Sequence, residues 1–375
     1  MNEVIVTGGS HHNTYGVIRA LGKKKLKPFL LLVNDSKNSF LLRSKYLGGY
    51  QVVNTEQHAI DFLFNNKNKY EGAVVIACSD GMSSALDCNR YKLDFNYKLP
   101  GADVQGQITS IMDKELMSSL GKKVGFNIPE SWIVSSLHDI DVVEYPCITK
   151  PIISKDGHKT DIEICQNKCE LENIIKNGSC YKYQVQQFIE KDFEYQLIGL
   201  SLNNGNELII PGFSRCIRPC PRTNTGFLHY ESLDCISAPI DLCKKFVQAT
   251  GYSGLFSIEF LRDKQGTDYF MEMNFRNDGN AICVTAAGIN LPYLWYLANT
   301  GKDYKKELKQ STMKSVFVMP EFPDFLCFVK SGKISFFKWI KDVLKTNTFM
   351  VFNISDVSPF MYILKDFLKR TLNKF

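Results

Sequence analysis

Gly254-Leu255-Phe256-Ser257-Ile258-Glu259-Phe260, followed after a polar turn by Tyr269-Phe270-Met271-Glu272-Met273-Asn274-Phe275-Arg276, is the stretch that decides the fold. Two apolar, aromatic-rich runs separated by Asp263-Lys264-Gln265-Gly266-Thr267 predict a β-hairpin. Strict alternation in the second strand puts Phe270, Glu272 and Asn274 on one face and Tyr269, Met271 and Met273 on the other. Glu259 lies midway along the paired strand, so the hairpin brings a second carboxylate beside Glu272. Carboxylates within apolar strands are costly unless a cation or hydrogen-bond donors compensate them. Two carboxylates and an amide oxygen make a hard, oxygen-only ligand set, suited to Mg²⁺ (or Mn²⁺) shared with nucleotide phosphates rather than to zinc. The same residues would also serve as an ordinary solvent-facing sheet surface, so the hairpin alone does not decide its function.

Upstream, Ile148-Thr149-Lys150-Pro151 ends a strand in a lysine, and the polar loop Ser154-Lys155-Asp156-Gly157-His158-Lys159 follows. An ammonium at a strand end beside a glycine-bearing loop can surround phosphates with charge and backbone N–H groups. Arg215, Arg218 and Arg222 crowd a Pro-rich stretch before Thr223-Asn224-Thr225-Gly226. They can hold a substrate carboxylate or phosphoryl group by bidentate hydrogen bonds, or else stand as surface cations.

Taken in chain order, these segments resemble the ATP-grasp superfamily. Met112-Asp113-Lys114 opening a helix before Gly125-Phe126-Asn127-Ile128-Pro129 is similar to the family's first phosphate-binding lysine segment. Lys150 and the loop with Lys155 are similar to its second lysine and mobile phosphate-covering loop. Gln186-Gln187-Phe188-Ile189-Glu190-Lys191-Asp192-Phe193-Glu194 resembles the adenine hinge, with Gln187, Phe188 and Ile189 at the base and Glu194 as the ribose-binding acid. Glu259, Glu272 and Asn274 stand where the family keeps its magnesium ligands.

The resemblance implies an ATP- and Mg²⁺-dependent ligase forming a carbon–nitrogen bond between a small-molecule carboxylate and an amine. The nearest types are the carboxylate-amine ligases, D-aspartate ligase-like and carbamoyl-phosphate-synthase-like, with a looser likeness to D-alanine:D-alanine ligase. Alternatives are a carboxylase-like reaction on bicarbonate and a nucleotide-binding module without catalysis. Many members carry an arginine two residues before the first metal acid, where this chain has Ser257. Arg276, Arg218 or Arg222 is expected to supply the missing positive charge.

The flanks complete an α/β and α+β reading: a Rossmann-like pre-grasp domain over 1–111, a two-subdomain ATP-grasp domain over 112–300 hinged near 186–194, and a basic, partly helical extension over 301–375. In the first unit, strand-like Val4-Ile5-Val6, Phe29 to Val33 and Ala73 to Ala77 alternate with helical stretches. Gly8, Gly9 and Gly16 miss the dinucleotide spacing and Asp35 matches only loosely, although amides at the turn can hold an anionic substrate.

Length and composition, 375 residues with 44% hydrophobic and 22% charged, suit a soluble globular chain of two or three units. Twelve scattered cysteines with no Cys-x-x-Cys predict reduced thiols and a cytoplasmic protein. The net charge of +6 is uneven: 14 Lys+Arg against 7 Asp+Glu from residue 301 onward, and 31 against 32 before it. The body therefore offers no electrostatic case for nucleic acid. In the tail, Phe336, Phe337, Ile340, Val343 and Leu344 repeat at helical spacing among Lys338, Lys341 and Lys345, and a second helix is expected over 360–372 behind Pro359. Such helices dock on their own domain or make peripheral contact with an anionic membrane; docking is the expectation here.

Overall fold

The computed structural model describes residues 3–35, 38–151, 163–177, 183–220 and 225–372, without the side chains of 150, 151 and 370–372. Three sheets organise these residues. The first is parallel, with strands β1 (Val4–Gly8), β2 (Phe29–Val33), β3 (Gly49–Val53), β4 (Ala73–Ala77) and β5 (Tyr97–Lys98) in the order β3-β2-β1-β4-β5. β1 and β4 are buried at every position, as expected of parallel strands covered on both faces. Strand order reverses between them, so the crevice beyond their C-terminal ends, at Gly8-Gly9 and Asp80, lies where doubly wound sheets receive ligands.

The second sheet is antiparallel and small: β6 (Ser131–Val134), β7 (Cys147–Pro151), β8 (Ile164–Cys165) and β9 (Tyr183–Gln187), ordered β6-β9-β7-β8. Its core is its own, built on Val134, Ile140, Cys147, Cys165, Leu171, Tyr183 and Val185. The third sheet has eight strands: β10 (Lys191–Leu202), β11 (Glu207–Ile209), β12 (Gly212–Pro219), β13 (Gly226–Ser232), β14 (Gly254–Asp263), β15 (Asp268–Asn274), β16 (Val316–Met319) and β17 (Thr348–Phe349). They run β15-β14-β10-β12-β13-β16-β17, with β11 beside β10.

β16 and β17 lie beyond residue 300, so the expected boundary there is not a structural division: the tail extends the third sheet past β13. It also clasps the first domain. Arg19, buried in helix His12–Lys23, donates to the Phe349 carbonyl at 3.1 Å, and the Asp356 carboxylate gathers Tyr15 Oη, Ser44 Oγ and the Lys45 N–H. One hydrophobic cluster accordingly runs from Val6 and Ile18 through Ile198, Leu228 and Trp295 to Val318 and Met350. The helices predicted in the tail form at Phe336–Lys345 and Ser358–Leu372.

The hairpin forms as expected, with one correction. Glu259 faces Glu272 and Ser257 faces Asn274, but Phe260 faces Phe270, so Met271 is an extra residue at a β-bulge. The bulge breaks strict alternation. Phe270 therefore turns away from Glu272 and into a core where its ring stacks on Phe126 at 4.9 Å and meets Phe246.

Candidate active site

The site is assembled where the hairpin meets the helix before it. Asp113 caps helix Lys114–Val124 by accepting from the Glu115 and Leu116 N–H groups, and the helix ends at Gly125, whose φ of 111° few other residues adopt at low cost. Phe126 then anchors in the aromatic core, while Asn127 accepts from Phe270 N–H at 2.9 Å. The helix is thereby pinned across β15, with Met117 Sδ accepting from the Met273 N–H. Its first turn, carrying Lys114, borders a cleft of about 530 Å³.

Lys114, Glu194, Glu259, Glu272 and Asn274 all line this cleft. Glu194 and Gln196 share one face of β10, and Glu194 pairs with Lys191 at 2.6 Å. Gln196 Nε2 donates to Glu259 Oε1 at 2.8 Å, Asn274 Nδ2 approaches the same oxygen at 3.2 Å, and Asn280 Nδ2 donates to Gln196 Oε1 at 2.8 Å. Burial, reinforced by the neighbouring charges of Glu272 and Asp278, pushes the Glu259 carboxyl up to about 8. A divalent cation would reverse both causes, so this buried carboxylate facing a second one fits a metal ligand. Among the described residues no three His, Cys, Asp or Glu side chains cluster closely enough to hold a metal alone. Two carboxylates and an amide instead leave positions for phosphate oxygens and water, as Mg²⁺ prefers.

Arg276 is the arginine that joins this group. Its guanidinium donates to Asn274 Oδ1 at 3.0 Å, to Asp278 at 3.2 Å and to Asp80 at 2.9 Å. Asn274 Oδ1 would thus be shared between Arg276 and a metal. Ser257, two residues before Glu259, is fully buried and donates to Asp278 at 3.0 Å. The loop 277–280 also meets the glycine turn of the first domain: Asn13 Nδ2 donates to the Asn277 carbonyl at 2.7 Å, and a Cβ on Gly279 would stand 3.2 Å from His12 Nε2.

Three groups of expected residues stand differently. Arg218 is outside the cleft: its Nε and Nη2 donate to Asp324, its Nη1 to Asp342, and its guanidinium lies against Phe227 and Phe328. It fastens the tail rather than facing a substrate. Gln187 ends β9, and Phe188 and Ile189 begin the link to β10; Gln187 Oε1 accepts from Glu130 N–H, and the β9 residues lining the cleft are Gln184 and Gln186. Lys155 and Arg222 lie outside the described residues, and so does the side chain of Lys150, whose backbone pairs with Gln184 in β7. Reasoning from the sequence missed Gln196, Asp278 and Asn280. Period-two spacing from Glu194 could have found Gln196, and the polar run Asn277-Asp278-Gly279-Asn280 directly after the strand could have found the others.

A parallel first sheet, a four-stranded antiparallel sheet and a large antiparallel sheet with paired carboxylates on the cleft match solved structures closely enough to name the architecture. Over 84% of this chain and 79% of the other, it superposes on an L-amino acid ligase from Bacillus licheniformis with TM-score 0.62 and 17% identity. The chain has the ATP-grasp fold. The model of the family described as ATP-grasp in the biosynthetic pathway with Ter operon matches residues 214–320, from β12 to the end of β16 and one residue beyond. N5-carboxyaminoimidazole ribonucleotide synthetase from Thermotoga maritima is similar at TM-score 0.55 and 17% identity, over 80% of this chain and 76% of that one. So is the biotin carboxylase domain of the Hydrogenobacter thermophilus 2-oxoglutarate carboxylase, solved with MgADP, ADP and bicarbonate, at TM-score 0.61 and 17% identity over 80% and 70%. No helix among the described residues is long and apolar enough to cross a membrane.

Proposed function

We propose that the chain is an ATP-dependent ligase that joins a small-molecule carboxylate to an amine through an acyl phosphate. The observation that carries this reading is Glu259 opposite Glu272 in a cleft bordered by Lys114 and Glu194. When bound, Mg²⁺ or Mn²⁺ would be held by Glu259, Glu272 and Asn274 and would withdraw charge from the ATP phosphates. Lys114 from the helix N-terminus neutralises further phosphate charge, and the same role is proposed for Lys150 and Lys155, whose side chains lie outside the described residues. Glu194 takes the ribose, and the segment Gln187, Phe188 and Ile189 would have to close toward the cleft to border the base. Arg276 supplies the positive charge that Ser257 cannot.

The substrate carboxylate attacks the γ-phosphorus; the new P–O bond forms as the bond to the ADP oxygen breaks. The amine then attacks the acyl carbon, phosphate leaves with the bonding pair, and the amine's proton passes to solvent. Phosphoryl transfer asks little covalent work of the protein, so positioning and charge stabilisation dominate. The glycine turn of the first domain, adjoining loop 277–280, is the seat of the carboxylate substrate, with backbone N–H groups as donors.

Phosphate release with ATP, Mg²⁺ and a panel of amino acids, with bicarbonate in a separate arm, tests this. Release should depend on an amino-acid pair, and Glu272→Gln should reduce it at least about 100-fold while circular dichroism is unchanged. Release driven by bicarbonate alone would move the chain to the carboxylase-like reaction, and a fully active Glu272→Gln would overturn the site.

A further inference from the structure

Helix Phe336–Lys345 packs on the body with Trp339, Ile340, Asp342 and Val343 half-buried. Trp339 Nε1 donates to Asp324 at 3.0 Å, the Trp339 ring meets Phe325 edge-on, and Asp342 pairs with Arg218 at 2.7 Å. No residue of this helix is buried. Phe336, Phe337 and Leu344 stand on the outer side, 52%, 80% and 81% exposed. Of the five apolar residues at helical spacing, Ile340 and Val343 turn partly inward, so the expected docking is met by part of the set. Phe336, Phe337 and Leu344 make an outer stripe that points into solvent.

We propose that this stripe is a surface for an anionic lipid bilayer, which the helix would meet lying in the plane of the headgroups. Charge argues for that occupant. Between residues 325 and 354 the sequence carries Lys330, Lys333, Lys338, Lys341 and Lys345 against one acid, Asp342, which the Arg218 pair already neutralises. Lys330, Lys338 and Lys341 are exposed. Apolar side chains flanked by lysines on a short helix that cannot span are the composition of interfacial anchors: the rings and leucine enter the acyl boundary while ammonium groups meet anionic headgroups. A second protein copy would be met with like charge, because the same lysines would face one another across a two-fold contact.

Co-sedimentation of the full chain with phosphatidylcholine vesicles containing roughly one third phosphatidylglycerol, at about 50 mM and about 300 mM salt, tests the proposal. The protein should pellet with anionic vesicles at low salt, with partitioning at least about 10-fold weaker at the higher salt and on pure phosphatidylcholine. Phe337→Ser/Leu344→Ser should lose at least about 10-fold in partitioning at both salts, and Lys338→Gln/Lys341→Gln about 10-fold on anionic vesicles alone. Both variants should keep the urea midpoint and ATP turnover of the wild type, which separates lost docking from lost folding. Wild-type protein that stays in the supernatant at both salts overturns the proposal. So does lipid-free self-association that the Phe337→Ser/Leu344→Ser variant abolishes, since a second copy would then be the occupant.

Discussion

Replacing Arg218 by Ala separates a fastening role from a substrate-binding one. The side chain is 12% exposed and gives three donors to two carboxylates, one of them, Asp324, fully buried. Without it Asp324 keeps the indole N–H of Trp339, while Asp342, at the helix surface, can turn toward water. Stranding a buried carboxylate costs about 3–5 kcal/mol. Loss of the guanidinium from between Phe227 and Phe328 adds to that. We expect Arg218→Ala to lose about 4 kcal/mol, and most of it to return when Asp324→Asn removes the stranded charge in the same chain. In a chain of this size 1 kcal/mol moves Tm by about 2 °C or less, so urea unfolding is the better assay. Stability within about 0.5 kcal/mol of wild type, together with a raised KM for a carboxylate substrate, would refute the fastening role and return Arg218 to the site.

Two further outcomes bear on the metal cluster. Glu259 holds its proton more tightly folded than unfolded, so its contribution favours folding fully below pH about 4.5 and is lost as pH rises through about 8. Urea unfolding in chelator should therefore show metal-free stability falling across that window, and Glu259→Gln, which keeps the Oε1 acceptor, should flatten the fall. Asp278→Asn should lower kcat by about 10-fold or more with KM for ATP little changed, because Asp278 orients Arg276 and Ser257 without lining the cleft; steady-state kinetics would show the split.

What the sequence made legible follows from how local each signal is. The hairpin and its two carboxylates could be read because strand periodicity and a turn are contiguous in the chain. The face of Phe270 could not, since a one-residue bulge is decided by whether its ring fits against Phe126 and Phe246, far away in sequence. Lys114 and Glu194 were legible only through resemblance, as nothing local distinguishes a lysine at a helix start from a solvated one. Arg218 misled for the same reason: an arginine in a Pro-rich strand end looks free until Asp324 and Asp342, more than a hundred residues on, come to meet it. The tail's apolar residues were plain, but which of them face the body depends on what the body offers: Trp339 and Asp342 meet buried Asp324 and Arg218, Ile340 and Val343 are half-buried, and Phe337 and Leu344 are left outside.

The tail also decides which parts of the ATP-grasp architecture can move against one another. The first domain shares one apolar cluster with the large sheet, and Arg19, Tyr15 and Ser44 are tied to residues 349–356. Displacing that domain would expose the shared cluster and strand the buried Asp356, at a cost far above thermal energy. The four-stranded sheet has a separate core and joins the rest through the links before β6 and after β9, so it can shift without opening any apolar cluster. Any closure over the cleft is therefore expected of that sheet, whose Gln184 and Gln186 line the cleft. Glu259, Glu272, Asn274 and Arg276 stay on the rigid body, as does helix Phe336–Lys345. A membrane-bound chain would thus hold its carboxylate pair fixed relative to the lipid surface while the small sheet opens and closes.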